Sequence, residues 1–321
     1  MRRPLRLLLL LVLCALLGAL PQRASAQTCT ASASALSFGN ISPIALSAVS
    51  ATGTATISCT WPVITLTPSV QVCLNQGGAT PRYLGSGSNQ LLYGLYQDAA
   101  HSIPWGSIAL GTTPISVILN KPLVGNTATA SVNFYGQVTA NQATVPTAGN
   151  ASTVYSQTLS QTSLTYGFFL LVSPGCAALT TSAGSFGFTA NATVVNDCLI
   201  SATNVAFTAS GVLSSALNAK GSITARCTNG DAYRIALNGG SSGNVAARQM
   251  QRSGGGGTVN YQLYTDAGHA SVWGDGTAGT TMPTGTGTGN AVSITVYGVV
   301  PSQTTPTPGN YSDAITATIS F

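Results

Sequence analysis

The sequence contains no glutamate, and all six of its acidic residues are aspartates. Only 5% of its 321 residues are charged. A long amphipathic helix normally carries Glu, Lys and Arg on its solvent face, so this scarcity of charge nearly excludes helical folds. Gly, Ser, Thr, Ala, Asn and Val dominate instead. That composition is typical of an all-β protein with many turns.

The first 26 residues are predicted to be a secretory signal. Arg2, Arg3 and Arg6 form its positive segment, 7–20 its apolar segment, and Ala24-Ser25-Ala26 its cleavage site. No later apolar run approaches the roughly 18 residues that a membrane span requires. We therefore expect an exported, soluble protein whose mature chain begins at Gln27.

Net charge is also low after the signal is removed. Four of the eleven basic residues lie in the first 26 positions, which leaves seven against six acids, or +1. Such a balance provides no electrostatic surface for nucleic acid or an anionic membrane. No nucleic-acid partner is predicted.

The chain after residue 26 contains the same sequence pattern twice. LLYGLYQDAAHSIPWG at 91–106 matches VNYQLYTDAGHASVWG at 259–274, at an offset of 168. Strands expected roughly every 8–12 residues in each copy predict two tandem β-sandwich domains. We define unit one as residues 27–194 and unit two as residues 195–321. Further matches are LSFGNIS (36–42) with VAFTASG (205–211), LNQGG (74–78) with LNGGS (237–241), and FYGQV (134–138) with VYGVV (296–300).

Six cysteines follow residue 26, and an even number in an exported protein indicates disulfide bonds. Like positions in the two units imply like bridges. This pairs Cys29 with Cys59 and Cys198 with Cys227. The two that are left over, Cys73 and Cys176, both lie in unit one and are predicted to pair with each other.

Unit one contains two segments that unit two lacks. The first is the apolar loop TWPVITLTPS (60–69), which places five extra residues between Cys59 and the LNQGG motif. The second is GFFLLVSPGC (167–176). It leads into SFGFTANATVVNDC (185–198), which we interpret as one more strand that closes the first sandwich.

Unit two ends with PGNYSDAITATISF (308–321), in which apolar and polar residues alternate as in a half-buried strand. The sequence has no further strand, so we expect the second sandwich to lack its final one. An open sandwich exposes an apolar groove and unpaired backbone groups, and both invite a partner's strand to add. The alternative is a domain with fewer strands and a harmless exposed edge. The predicted donor-strand groove residues are Ile315, Ala317, Ile319 and Phe321.

Three motifs resemble the spore coat protein U-like family, which includes the subunits of Csu-type (archaic) chaperone–usher pili. They are the paired CT…C frames, the YxLYxDxxHxxxWG segment and the closing PGxYxDxIxxxIxF. The resemblance covers nearly the whole chain after residue 26, once per unit. Unit one departs from it, because Tyr155, Ser156 and Gln157 stand where the family has Tyr-x-Asp.

The resemblance implies that an ordinary subunit is an incomplete immunoglobulin-like sandwich. A periplasmic chaperone holds it, an outer-membrane usher exports it, and the N-terminal extension of the next subunit completes it. Here the predicted mature chain starts two residues before Cys29 and has no extension to donate. We therefore expect an adhesin at the tip of a cell-surface pilus, attaching cells to an abiotic or host surface and promoting biofilm. The alternatives are a non-adhesive coat or minor pilus subunit, and a secreted carbohydrate-binding module.

The segments peculiar to unit one are the candidate surface-binding loops, because exposed apolar patches mark interaction sites. Pro62 and Pro68 disfavour a central strand, so residues 61–64 are expected to be exposed. Residues 168–172 fit either an exposed loop or an extra buried strand. The predicted surface-binding residues are Trp61, Pro62, Val63, Ile64, Phe168, Phe169, Leu170 and Leu171.

Catalytic and metal-binding patterns are weak. The two histidines, His101 and His269, lie at equivalent positions beside Asp98 and Asp266. An Asp–His pair can orient a base, but no nucleophile motif accompanies it, and identical placement in both units indicates a structural role. No zinc or calcium spacing occurs. We expect neither enzyme activity nor a cofactor, and we expect Trp105 and Trp273 to pack in the two cores.

Overall fold

The computed structural model describes residues 27–321, so the predicted secretory signal lies outside the described residues. Within this range the chain forms β-strands, four short 3-10 helices and no α-helix. The all-β prediction is confirmed. None of the helices in residues 27–321 has the length and apolar character needed to cross a membrane.

Ten strands belong to unit one and nine to unit two. Unit one contains β1 (Thr28–Ala33), β2 (Leu36–Ile41), β3 (Val49–Thr60), β4 (Ser69–Gln76), β5 (Arg82–Ser86), β6 (Asn89–Tyr96), β7 (Ile115–Asn120), β8 (Thr127–Val138), β9 (Thr153–Phe169) and β10 (Thr181–Val194). Unit two contains β11 (Cys198–Ala202), β12 (Leu217–Cys227), β13 (Ala232–Leu237), β14 (Arg248–Arg252), β15 (Thr258–Tyr264), β16 (Thr284–Thr286), β17 (Val292–Val300), β18 (Tyr311–Ser312) and β19 (Ala317–Ser320). The 3-10 helices are Pro43–Ala45, Ile108–Leu110, Cys176–Ala178 and Gly240–Ser242.

Unit one is a sandwich whose two layers share the long strand β9. One layer runs β1-β3-β8-β6-β5, and the other contains β7, β4, β9, β10 and β2. The first part of β9 meets β5 at the pair Gly85–Ser156, and its last part pairs with β4 from Thr162 to Phe169. Inward-facing side chains of both layers, such as Ile57 and Leu164, form one buried core.

Unit two repeats this arrangement with nine strands instead of ten. Its sheets run β11-β12-β17-β15-β14-β18 and β16-β13-β19. The short strands β18 and β19 take the place of β9. No strand of unit two corresponds to β2 or β10. A separate core lies between its sheets, with Trp273 and Ile235 fully buried. Two immunoglobulin-like sandwiches, the second incomplete, were predicted.

All three predicted disulfides are present. Cys29 lies opposite Cys59 in the β1–β3 ladder, and Cys198 opposite Cys227 in the β11–β12 ladder. The third bond joins Cys73 in β4 to Cys176.

The LNQGG–LNGGS match predicted from the sequence aligns the two units in the wrong register. The indole N–H of Trp105 donates to the Leu74 carbonyl (2.8 Å), whereas that of the equivalent Trp273 donates to the Ile235 carbonyl (2.9 Å). Leu74 therefore corresponds to Ile235, two residues away from its position in the LNQGG–LNGGS match. Fifteen positions separate Cys59 from Leu74 and eight separate Cys227 from Ile235, so unit one has seven extra residues here rather than five. A short match in a Gly- and Asn-rich turn does not fix strand register.

The two units meet through the turn before β9 and the loop before β13. Asn150 accepts from the Ala232 N–H (2.8 Å) and donates to the Ala232 carbonyl (2.9 Å). Asp231 is fully buried at this junction and accepts a hydrogen bond from the Thr147 hydroxyl.

Candidate surface-binding and strand-accepting sites

Three loops of unit one lie at the same end of the sandwich. Ser69 at the start of β4 pairs with Asn120 at the end of β7 and with Phe169 at the end of β9. The β3–β4, β7–β8 and β9–β10 connections therefore leave the sheet side by side. Two of them are the segments that the sequence singled out, and the β7–β8 loop was not predicted.

These loops carry the most exposed apolar side chains of the chain described here. Ile64 is 87% exposed, Val124 90% and Leu171 85%. We call the set the apolar tip; it consists of Val63, Ile64, Leu66, Leu123, Val124, Leu170, Leu171 and Val172. Eight exposed apolar side chains at one end of a domain indicate an interaction site, because soluble proteins rarely leave large apolar patches in water unless something binds there.

Hydrogen bonds hold the first two loops together. The Lys121 N–H donates to the Pro68 carbonyl (2.7 Å), and the Trp61 N–H donates to the Asn126 carbonyl (2.8 Å). The Lys121 ammonium also donates to the Val63 carbonyl. The exposed side chains thus project from a braced backbone.

The third loop is fastened to β4. The Ser173 hydroxyl donates to Gln71 Oε1 (2.6 Å), and Gln71 is itself buried. The Cys73–Cys176 disulfide closes the same loop a few residues later. All three tip loops are therefore anchored to the sandwich.

The predicted exposure of Trp61 is wrong. Its indole is fully buried, lies edge-on to the Phe168 ring (5.4 Å between centroids) and donates to the Thr67 carbonyl (3.1 Å). The reason is the alternation of β3: Ile57 and Cys59 face the core, and Trp61 continues that inward series. The strand β3 ends at Thr60 and Pro62 follows Trp61, so the Trp61 side chain still points inward and fills the base of the loop.

The other predicted surface residues divide in two. Val63, Ile64, Leu170 and Leu171 are exposed. Pro62, Phe168 and Phe169 are half-buried, and Phe168 packs against the first core. The two alternatives for residues 168–172 thus both occur: β9 extends through Phe169, and an exposed loop follows.

The strand β10 fills the space between β9 and β2. It runs antiparallel to β9 and parallel to β2. The Phe188 ring lies 4.9 Å from the Phe134 ring and stacks on Trp105 at 6.1 Å. Five alternate side chains of β10 are buried in the core: Phe186, Phe188, Ala190, Ala192 and Val194.

In unit two this space has no strand. Val205 and Phe207 lie against Gly298 as Leu36 and Phe38 lie against Gly136. Residues 203–212, which form one wall of this space, form no strand, and β19, which forms the other wall, pairs only with β13. Within residues 27–321, neither wall therefore has a ladder partner on the side that faces this space. Leu36 and Phe38 are buried, whereas Val205 and Phe207 are half-exposed. This is an open groove with an unpaired strand edge.

The predicted groove residues lie in β19 and just before and after it. Ile315, Ala317 and Ile319 are half-buried and pack against the second core. Phe321 is 46% exposed and lines a shallow cavity with Asn150 and Tyr233, beside the junction of the two units.

Comparison with known sequences matches this chain to the Spore Coat Protein U domain over residues 17–167 and again over residues 184–318. The two matched regions cover most of the chain. The chain belongs to the Spore Coat Protein U domain family.

This chain is also similar to Protein U of Myxococcus xanthus, a curated protein, with 34% identity over 107 residues. That alignment covers 32% of this chain and 59% of Protein U, so the chain spans about three fifths of the length of that relative.

A solved structure with a similar fold comes from the complex of the chaperone CsuC with the tip adhesion subunit CsuE, from the archaic chaperone–usher Csu pili of Acinetobacter baumannii. The similarity covers 92% of this chain and all of that chain, with a TM-score of 0.52 and 17% identity. At this identity the likeness concerns the fold.

Each Spore Coat Protein U domain here carries the same Asp–His turn. Asp98 accepts from the backbone N–H groups of Ser102 and Ile103, and His101 adopts a left-handed backbone (φ 55°). The pKa of Asp98 is lowered by the hydrogen bond from the Ser102 hydroxyl and by these N–H groups. The carboxylate thus closes a turn and does not orient the histidine, as the structural interpretation predicted.

Residues 27–321 contain no cluster of three or more His, Cys, Asp or Glu side chains placed to bind a metal ion. Trp105 and Trp273 are buried and packed in the two cores, which confirms their predicted role.

Proposed function

We propose that this protein is the tip adhesin of a Csu-type chaperone–usher pilus. Unit one, residues 27–194, is its adhesin domain, and unit two, residues 195–321, is the pilin-type domain that receives a donor strand. It is exported through the periplasm, held there by a pilus chaperone, passed through an outer-membrane usher and displayed at the cell surface. It has no catalytic role.

The observation that best supports this proposal is the open groove of unit two. Half-exposed Val205 and Phe207 line one wall and Ile315 and Ile319 the other. Unpaired backbone groups and apolar side chains along one groove are costly in water and are recognised together by an added β-strand. The strand β10 already occupies the corresponding space in unit one, so only unit two needs a partner.

The apolar tip supports the adhesive half of the proposal. Its side chains lie on three braced loops and are exposed to solvent. Removing apolar surface from water is favourable and non-directional, so such a tip suits abiotic or apolar host surfaces. Attachment through many weak contacts of this kind would promote biofilm.

A triple variant tests the adhesive role by changing one residue in each tip loop. Ile64→Ser, Leu123→Ser and Leu171→Ser together should reduce attachment of piliated cells to polystyrene about tenfold or more, because each replaces an exposed apolar side chain. Pilus number and thermal stability should not change.

The matched control is Ile103→Ser with Leu110→Ser, which removes two exposed apolar side chains from the loop between β6 and β7. That loop leaves the sheet at the other end of β4 from the tip. Equal loss of attachment in the control, or unchanged attachment in the triple variant, would remove the apolar tip from the adhesive site.

A further inference from the structure

A second candidate site lies in unit one where β9 passes from β5 to β4. A cavity of about 360 Å³ opens there, within the range of small-ligand pockets. Gln76, Gly78, Arg82, Tyr83, Gln157 and Gln161 are among the residues that line it. None of its lining residues, all within 76–161, is acidic.

Arg82 has an equivalent in unit two, because each arginine lies opposite the same tyrosine of the repeat. Arg82 pairs with Tyr93 in the β5–β6 ladder, and Arg248 pairs with Tyr261 in the β14–β15 ladder. Both arginines are largely buried, at 7% and 0% exposure.

The two guanidinium groups are satisfied very differently. Arg248 donates to the carbonyls of Asn238, Leu237 and Trp273 and to the Gln262 side chain. Arg82 makes one such bond, to the Gly77 carbonyl (3.0 Å). Gly94 stands at the position of Gln262 and supplies no acceptor. The unused Arg82 donors are accessible to solvent beside the cavity, so they are available to the acceptors of a ligand.

Unit two also carries its own carboxylate at this place. Asp313 accepts from the Ser241 N–H (2.8 Å), the Ser241 hydroxyl and the Tyr261 hydroxyl (2.7 Å). Burial raises the pKa of Asp313, but the hydrogen bonds from Ser241 and Tyr261 outweigh it and hold the pKa below its ordinary value. The carboxylate is therefore ionised near the arginine.

In unit one the carboxylate and its cover are both missing. Gln157 takes the place of Asp313 and accepts from the Tyr93 hydroxyl (2.6 Å). Five residues, 77–81, connect Gln76 to Arg82, whereas ten, 238–247, connect the corresponding positions in unit two. The longer loop covers the site and buries Val245, and the shorter loop leaves it open.

Several polar groups lie in or beside the wall of the cavity. Gln76 is 1% exposed, and its side-chain oxygen has no hydrogen-bond partner among the described residues. Gln161 Oε1 and Arg82 Nη1 both lie close to Gly78, on the side where another residue would carry its Cβ atom. A Cβ atom there would lie 3.2 Å from Gln161 Oε1 and 3.3 Å from Arg82 Nη1. Tyr83 is 37% exposed at the rim.

We propose that this cavity binds the carboxylate of an acidic saccharide, with Arg82 holding the carboxylate. Planar guanidinium groups bind carboxylates with two hydrogen bonds. The glutamine amides offer donors and acceptors for hydroxyl groups, and the Tyr83 ring offers an apolar face for the sugar. The proposal does not depend on the apolar tip or on a place in a pilus.

The test measures binding of trigalacturonate to the full exported chain by calorimetry, with neutral galactotriose and sodium acetate as comparison ligands. We expect trigalacturonate to bind at least about tenfold more tightly than either, since hydrogen bonds to charged groups are the stronger ones. Tighter or equal binding of galactotriose would overturn the role of the carboxylate. Equal binding of acetate would overturn recognition of the sugar.

Gln157→Asp sharpens the test, because it restores the carboxylate that unit two carries and offers Tyr93 the same acceptor. It should weaken trigalacturonate binding about tenfold or more without lowering thermal stability. Gln157→Asn, the uncharged control of the same size, should have a smaller effect. Equal loss in both variants, or unchanged binding in Gln157→Asp, would contradict the proposal. Ile64→Ser at the apolar tip should leave saccharide binding unchanged, which separates the two sites.

Discussion

Unit one and unit two share most of their strand arrangement, but a position that a strand occupies in unit one is left open in unit two. In unit one, β10 lies between β9 and β2, and Leu36 and Phe38 beneath it are buried. In unit two the corresponding Val205 and Phe207 are half-exposed and their segment forms no strand. Among residues 27–321, the only ladder partner of β2 is β10, and a similar sequence remains irregular in unit two, where no such partner is present.

The two units also differ in what covers the same end of the sandwich. In unit one the loops after β3 and β7 carry five of the eight apolar tip residues. In unit two the corresponding loops, residues 228–231 and 287–291, lie against residues 143–150 of unit one. One sandwich end therefore joins the units, and its counterpart is free to contact something else.

The largest expected effect comes from supplying unit two with a strand. A variant that continues beyond Phe321 with a flexible linker and the sequence of residues 185–194 should fill the groove with its alternate apolar side chains. Burial of half-exposed residues such as Phe207 and Ile319 should raise the unfolding free energy of unit two by on the order of 5 kcal/mol. Chemical denaturation of the full chain measures it.

The control for that variant is the same extension with both phenylalanines replaced by aspartate, which keeps its length and removes its two largest apolar side chains. It should leave the transition of unit two where the unmodified chain has it. If both extensions stabilise equally, or neither does, the groove is not a strand-accepting site.

The next largest effect concerns the strand that unit one already has. Phe188→Ala removes a ring packed between Phe134 and Trp105 and should cost about 3–5 kcal/mol in the unfolding of unit one. Phe207→Ala in unit two should cost clearly less, because that side chain is half-exposed. Equal losses would mean that β10 does not distinguish the two cores.

Much of this architecture is readable from the sequence, because period-two alternation, paired cysteines and a long internal repeat each reflect one simple constraint. The added strand β10 and the half-buried alternation of 315–319 follow directly from that reading. Trp61 was misplaced because the prolines after it were given more weight than the inward series 57, 59 and 61. Pro122 and Gly125 around the exposed pair Leu123–Val124 were an available signal, since the equivalent loop at 287–291 has no such apolar pair.

The cavity beside Arg82 could not be found from sequence alone. It depends on the length of loop 77–81 relative to its counterpart 238–247 in unit two, and on a strand register that the LNQGG match placed two residues away. Neither Arg82 nor Arg248 stands in a recognisable motif, and only their hydrogen bonds distinguish them.

The smallest expected effect concerns the junction between the units. Asp231 is fully buried there, one carboxylate oxygen accepts from Thr147, and the other has no partner among the described residues. Burial raises the pKa of Asp231, although the hydrogen bond from Thr147 partly opposes this. A folded-state pKa above the unfolded one means that the contribution of Asp231 to stability is complete at low pH and falls as the pH rises through the folded pKa. Asp231→Asn removes the charge and should stabilise unit two by roughly 1 kcal/mol at pH 7.

That gain should disappear near pH 3, where Asp231 is protonated in both states, so the difference between the two chains must be measured by denaturation at both pH values. Asp275→Asn is the matched control with the opposite sign. Hydrogen bonds from the Thr277 hydroxyl and N–H lower the pKa of Asp275, so its ionised form favours the folded state above the unfolded pKa, and its replacement should slightly destabilise the chain at pH 7. If Asp231→Asn is destabilising by the same amount at both pH values, the hydrogen bond to Thr147 outweighs the buried charge, and the junction is held by geometry rather than weakened by ionisation.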